Sequence, residues 1–214
     1  LDLTDPVIDV PFTWNAQYRA LKKLITKKAL VNVATLGPSG TSSEAAAKHF
    51  LSELNCKNGQ YKLYPTYEEA FEGLISGKSD FLIVANAYER IDRIYMSQES
   101  HLLFPFVYET PLYGIAKRSG ENLPENQPLK IATHHAPVSL IPWFLTDFNY
   151  KYDVLFVKST SEAAMKLRDG EVDLCVTTEN AVKKYGVKFI TKTRPILMLW
   201  SVFIRQEDLN SINY

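Results

Sequence analysis

Cysteine is nearly absent from this chain: Cys56 and Cys175 are the only two in 214 residues, and neither sits in a C-x-x-C or metal-type spacing. A disulfide framework is therefore not expected, Cys175 reads as a core residue, and a reduced, cytoplasmic setting is the default. Histidine is scarce as well. His49, His101, His134 and His135 form no H-x-x-x-H or H-E-x-x-H pattern, so neither a metal site nor any other cofactor is expected. Net charge is missing, with 24 Lys and Arg against 24 Asp and Glu. No basic stripe with interleaved aromatics appears, which argues against nucleic acid as a partner. No apolar run is long enough for a bilayer and no signal-peptide pattern opens the chain, so no membrane partner is expected.

What is present is a core-forming composition, 46% hydrophobic, in a chain long enough for one domain or two small lobes. Residues 1–13 are punctuated by proline and read as irregular. Trp14, Tyr18, Leu21 and Ile25 then recur at helical spacing, which predicts an extra helix packed outside the main fold or against a partner chain. From residue 31 the order is strand, helix, strand, helix, strand, the mark of a parallel α/β layer. Residues 86–100 read as irregular or briefly helical, and 104–117 as one apolar strand. A second α/β series follows, with a helix expected over 137–146, and strands are expected at 188–191 and 198–205 before a polar tail from 206.

The two series are related. TYEEAFEGLISGKSDFLIV from Thr66 matches STSEAAMKLRDGEVDLCV from Ser159 at a constant displacement of 93, with Glu69 on Glu162, Gly77 on Gly170 and Asp80 on Asp173. VNVAT before the first turn parallels LKIAT before His134. Such duplication predicts a bilobal α/β fold, with an N-terminal extension over 1–30, one lobe from 31–112 and 190–205, a second from 113–189, and a tail over 206–214. Ligands of open α/β sheets bind beyond the carboxyl ends of the strands, near helix starts. Those turns are rich in hydroxyls here: Gly40, Thr41, Ser42 and Ser43 with Glu44 in a capping-box spacing; Asn86 to Glu89; Thr133, His134 and His135; Ser159, Thr160 and Ser161. Helix starts present free N–H groups and a positive dipole end, and so suit a small organic anion.

These residues carry a resemblance. GPSGTSSEAAAKHF, TYEEAFEGLISGKSDFLIV and STSEAA are similar to the corresponding segments of the prephenate dehydratase family, over residues 31–205. The resemblance implies a fold like that of type 2 periplasmic binding proteins, with the substrate between two lobes. Where dehydratases carry P-I-E-N-S this chain has Ala85-Asn86-Ala87-Tyr88-Glu89. Where they carry T-R-F near the end, alignment through the last strand places Leu199-Trp200-Ser201. At these departures, and at Tyr95-Met96, Thr110-Pro111-Leu112-Tyr113-Gly114 and Met198, the chain resembles the prephenate decarboxylases of bacilysin, aeruginosin and salinosporamide pathways. That likeness implies loss of carbon dioxide from prephenate without aromatisation, and a homodimer is expected on it alone.

Prephenate has a ring carboxylate, a ring hydroxyl and a pyruvyl carboxylate. An acid that protonates the hydroxyl lets water and carbon dioxide leave together, and the ring aromatises. A non-aromatising enzyme withholds that acid and protonates a ring carbon. Apolar Leu199 and Trp200 fit the withholding, and Thr41–Ser43 with Ser159–Ser161 suit the pyruvyl carboxylate. His134, with a proton that titrates near neutral pH, is the first candidate donor, and Tyr88 and Glu89 are the next. A helix-cap or surface histidine is the alternative for His134, and a packing wall for Tyr88. Two rival functions stand beside decarboxylation: a dehydratase releasing phenylpyruvate, and a non-catalytic anion-binding module.

Overall fold

The computed structural model describes residues 10–125 and 127–209; the expectations for residues 1–9 and 210–214 lie outside them. Two five-stranded sheets are present, each with helices on both faces. The first joins β1 (Val31–Leu36), β2 (Gly59–Tyr64), β3 (Phe81–Ala85), β4 (Ser100–Glu109) and β10 (Leu197–Arg205) in the order β2-β1-β3-β10-β4. The second joins β5 (Tyr113–Arg118), β6 (Leu129–Thr133), β7 (Tyr152–Phe156), β8 (Leu174–Thr178) and β9 (Val187–Phe189) in the order β7-β6-β8-β5-β9. In each, three parallel strands are followed by one antiparallel strand that enters directly after a crossover between the sheets. The two crossovers run side by side, with Thr110 N–H donating to the Ile196 carbonyl at 2.9 Å.

The internal repeat appears as matched elements. Helix α3 (Tyr67–Ile75) and β3 correspond, end for end at a displacement of 93, to α6 (Thr160–Arg168) and β8. The same side chains build both copies. Thr66 and Ser159 cap the helices by accepting from Glu69 N–H (3.1 Å) and Glu162 N–H (3.0 Å). Gly77 and Gly170 leave them with φ of +73° and +79°. Asp80 and Asp173 then accept from the first strands, at Asn32 N–H (2.7 Å) and Lys130 N–H (2.8 Å).

Helix α1 spans Val10–Lys27, so it begins four residues before Trp14 and within the stretch expected to be irregular. Its Leu21, Leu24 and Ile25 are buried beside α2 (Ser42–Glu53) on the first sheet, and Trp14 and Tyr18 lie against Phe104 with ring centroids 5.1 and 5.9 Å away. The expected single strand over 104–117 is two strands in different sheets, because the Pro111 stretch is a crossover rather than a bend within a strand. Between β3 and β4 lies a five-residue helix α4 (Ile91–Tyr95). The expected helix over 137–146 is shorter: Pro137 precedes a single 3-10 turn at Val138–Leu140, and α5 covers only Ile141–Phe144. Helix α7 (Glu179–Tyr185) ends at Gly186 in the left-handed conformation, and Gln206–Leu209 form a last turn, α8, in the stretch expected to be a tail.

Candidate functional site

The strand ends of the two sheets face each other across a small chamber of about 60 Å³. From the first lobe, Thr41, Ser42 and Ser43 at the start of α2 line it with Tyr67, Ala85 and Tyr88. From the second come Tyr113, His134, Ser159 and Thr160, while Met198 and Trp200 of β10 close one side. Among the described residues, none that lines it is Lys, Arg, Asp or Glu. An anion here meets hydroxyls and the helix starts of α2 and α6, whose first N–H groups have no carbonyl within the helix.

The turn that opens this wall is locked by Glu44. Thr41 caps α2, its hydroxyl accepting from Glu44 N–H (3.2 Å). The Glu44 carboxylate reaches back past Thr41 to accept from Gly40 N–H (2.7 Å) and Ser39 Oγ (2.9 Å), with Tyr61 and Lys48 on its other oxygen. The reciprocal cap thus lands one residue earlier than in a standard capping box. Burial pushes this acid up, but the Gly40 N–H, Lys48, Ser39 and Tyr61 outweigh it and hold the carboxyl at about 2 against an ordinary 4.5. A lowered folded-state value stabilises the protein above pH 4.5, and the stabilisation is lost as the pH falls towards 2. We expect about 2 kcal/mol from this group after allowance for solvent screening. Glu44→Gln, whose amide turns N–H towards two donors, should melt well below the wild type at pH 7, with the gap shrinking between pH 4.5 and 3. Melting curves that stay equally separated down to pH 3 would exclude this role.

The tip of the same turn touches the opposite lobe. Gly40 carbonyl accepts from Thr178 Oγ1 (2.7 Å), and the Ser39 carbonyl from Tyr185 OH (3.3 Å). Gly40 itself has φ +99°, and a Cβ there would lie 3.1 Å from Ser161 Oγ and 3.4 Å from Ala181 Cα. Two tyrosines stand behind the serines: Tyr113 OH is 2.7 Å from Ser42 Oγ, and Tyr67 OH is 2.9 Å from Ser43 Oγ.

His134 is half-buried, and its Nδ1 accepts from Ala136 N–H (3.2 Å), so Nε2 carries the proton of the neutral ring. Burial, with His135 beside it, moves its pKa below 6.5 against a weaker opposite pull from Glu89. Tyr88 is a poorer acid. Burial raises its pKa, and its hydroxyl donates to Glu68 (2.6 Å), which also accepts from Arg90 (3.3 Å).

Of the residues singled out in sequence, Thr41, Ser42, Ser43, Tyr88, His134, Ser159, Thr160 and Trp200 line the chamber. Glu89 and His135 do not; they border an outer groove at its mouth, where His135 stacks on Phe156 at 4.0 Å. Gly40 and Ser161 lie behind the wall at the lobe contact, and Thr133 is buried with its hydroxyl on the His134 carbonyl (3.1 Å). Leu199 is a correction. Strand alternation turns it away from the chamber, 42% exposed, so the apolar wall is Met198 and Trp200. Ser201 and Asn86 likewise sit off the chamber, joined at 2.8 Å and to Tyr95 at 2.6 and 3.3 Å. Tyr67 and Tyr113 were missed as lining residues, although each stands at the first position of an element that follows a strand-end turn or a crossover.

No protein-family model matches the chain. A prephenate decarboxylase from Planktothrix agardhii is 38% identical over 176 residues, covering 80% of this chain and 86% of that protein. One from Bacillus subtilis is 37% identical over 189 residues, covering 85% and 90%. Among solved structures, prephenate dehydratase from Arthrobacter aurescens in complex with L-Phe superposes with a TM-score of 0.65 at 18% identity. The match covers 82% of this chain and 60% of that one. A periplasmic domain of BvgS from Bordetella pertussis gives 0.54 at 17% identity, covering 91% and 89%. At those identities the structural likeness establishes the fold alone, two lobes of the periplasmic-binding type. The sequence identity, sustained across both lobes, settles the relationship: the chain belongs to the prephenate decarboxylase family.

Proposed function

We propose that this protein removes the ring carboxylate of prephenate as carbon dioxide, keeps the ring hydroxyl, and releases dihydro-4-hydroxyphenylpyruvate, with neither metal nor organic cofactor. The observation that carries this reading is a chamber with a helix start from each lobe and no carboxylic acid among the described residues of its wall. The two helix starts suit the pyruvyl carboxylate, which leaves the ring carboxylate to the apolar side of the chamber. The C–CO2 bond breaks, its electron pair moves through the neighbouring ring alkene, and the far carbon of that alkene takes a proton. With no carboxylic acid among the described wall residues to protonate the ring hydroxyl, and the His134 proton delivered to carbon, water is not expelled and the ring does not aromatise. The apolar face of Met198 and Trp200 disfavours the localised charge of the carboxylate relative to the dispersed charge of the transition state. His134 is the proton source in this scheme, because Tyr88 has its proton on Glu68 and Glu89 stands in the outer groove. By the resemblance to the bacilysin and aeruginosin enzymes, the product enters a peptide-antibiotic type of pathway, and the scarcity of cysteine supports a reduced, cytoplasmic setting.

Incubation with prephenate tests the reading. Carbon dioxide is expected without the phenylpyruvate absorbance that develops in base. Both products together would make the protein a dehydratase; neither, with prephenate still bound, would make it a binding module.

A further inference from the structure

Tyr113, the first residue of β5, follows directly on the first crossover. Its N–H donates to the Arg194 carbonyl (2.8 Å) and its carbonyl accepts from Arg194 N–H (3.0 Å). It is thus fixed where the two connections between the lobes run together. The side chain is 6% exposed, and the ring forms part of the chamber wall. The hydroxyl lies 2.7 Å from Ser42 Oγ of the first lobe. One side chain of the second lobe therefore reaches the start of α2 in the first.

Each hydroxyl has one proton, so the pair has two consistent directions. In one, Ser42 donates to Tyr113 and turns a lone pair to the chamber. In the other, Tyr113 donates to Ser42, and the Ser42 proton points into the chamber. An anion in the chamber selects the second direction, and the donor behind Ser42 polarises it. We infer that Tyr113 is a positioning residue whose hydroxyl, bonded to Ser42 across the lobe boundary, turns the Ser42 hydroxyl into a donor to the anionic substrate. The inference rests on the prephenate reading for its ligand. Tyr67 provides the contrast. Its hydroxyl accepts from Ala85 N–H (3.1 Å) and meets Ser43, with Thr35 close by, all within one lobe.

The test is a double-mutant cycle of Tyr113→Phe and Ser42→Ala, read as KM and kcat for prephenate alongside melting temperature. Each single change should raise KM about tenfold, with melting temperature little altered. The double variant should be no more than about threefold worse than either, because both remove the same donor. A KM unchanged in Tyr113→Phe, or effects that multiply to about a hundredfold, overturns the inference. Tyr67→Phe with Ser42→Ala should multiply; coupling as strong as that of Tyr113 also overturns it. If Tyr113→Phe does not fold, Tyr113→Met, which also removes the hydroxyl, replaces it in the cycle, and the same non-additivity is required. A wild type that releases no carbon dioxide defeats the functional reading instead. The cycle is then read on the rise in melting temperature that prephenate induces, and a wild type without that rise overturns the inference as well.

Discussion

Exchange of His134 for glutamine is expected to lower kcat for prephenate decarboxylation by about a hundredfold or more, with KM changed only a few-fold. That is the usual size of a lost general acid. Glutamine fills similar space and still donates a hydrogen bond, so binding should persist while proton delivery fails. The pH dependence sharpens the expectation. In the free protein, burial holds the His134 pKa below 6.5. Activity that needs the imidazolium is full below that value and declines as the pH rises through it. A bound dianion favours the charged ring and shifts the decline upwards. The falling limb of kcat/KM, which reports the free enzyme, should therefore lie at lower pH than that of kcat, which reports the complex. In His134→Gln both limbs should vanish. Turnover equal to wild type in that variant removes His134 as donor.

Gly40→Ala is expected to cost a hundredfold or more in kcat/KM while the melting temperature falls by only a few degrees. Two effects meet at this residue. Alanine at φ +99° is strained, and its Cβ would crowd Ser161 Oγ of the opposite lobe at 3.1 Å. Relief of the backbone strain and of that contact shifts the tip, which loosens the Gly40–Thr178 bond and disturbs the spacing of the two helix starts that face the chamber. Misplacement of reacting groups by about 1 Å can cost a hundredfold in rate. Gly170→Ala separates strain from contact, because Gly170 has φ +79° with nothing within 4 Å of its would-be Cβ. That variant should lose about 1 kcal/mol of stability and keep its activity. Equal activity in the two variants would deny the lobe contact any part in turnover.

Where chemistry is local, the sequence reads directly into the structure. The caps Thr41, Thr66 and Ser159, the helix-terminating Gly77 and Gly170, and the paired Asp80 and Asp173 each act within a few residues or in a repeated frame. The break at Thr110–Leu112 was hidden because apolar alternation continues through it, and only the tertiary arrangement assigns its two sides to different sheets. Leu199 and Trp200 differ by a parity that no pattern within β10 reveals, since residues 200–204 are buried on both faces. Tyr67 and Tyr113 became wall residues only when the lobes met, and Glu89 and His135 lie just past the edge of the chamber that their neighbours enter.

The placement of β10 bears on how the chain reaches this state during synthesis. The second sheet is contiguous in sequence, all of its strands falling between Tyr113 and Phe189. The first sheet lacks the strand that belongs between β3 and β4 until Leu197–Arg205 has been made. On a ribosome the later lobe therefore completes its core before the earlier one. The β1–β4 segment waits, with the inner edge of β3 unpaired, until the second lobe and β10 have emerged. An unpaired edge of that kind is where aggregation begins and where a holding chaperone binds. A vulnerable interval thus lasts from the emergence of β3 until β10 has left the ribosome.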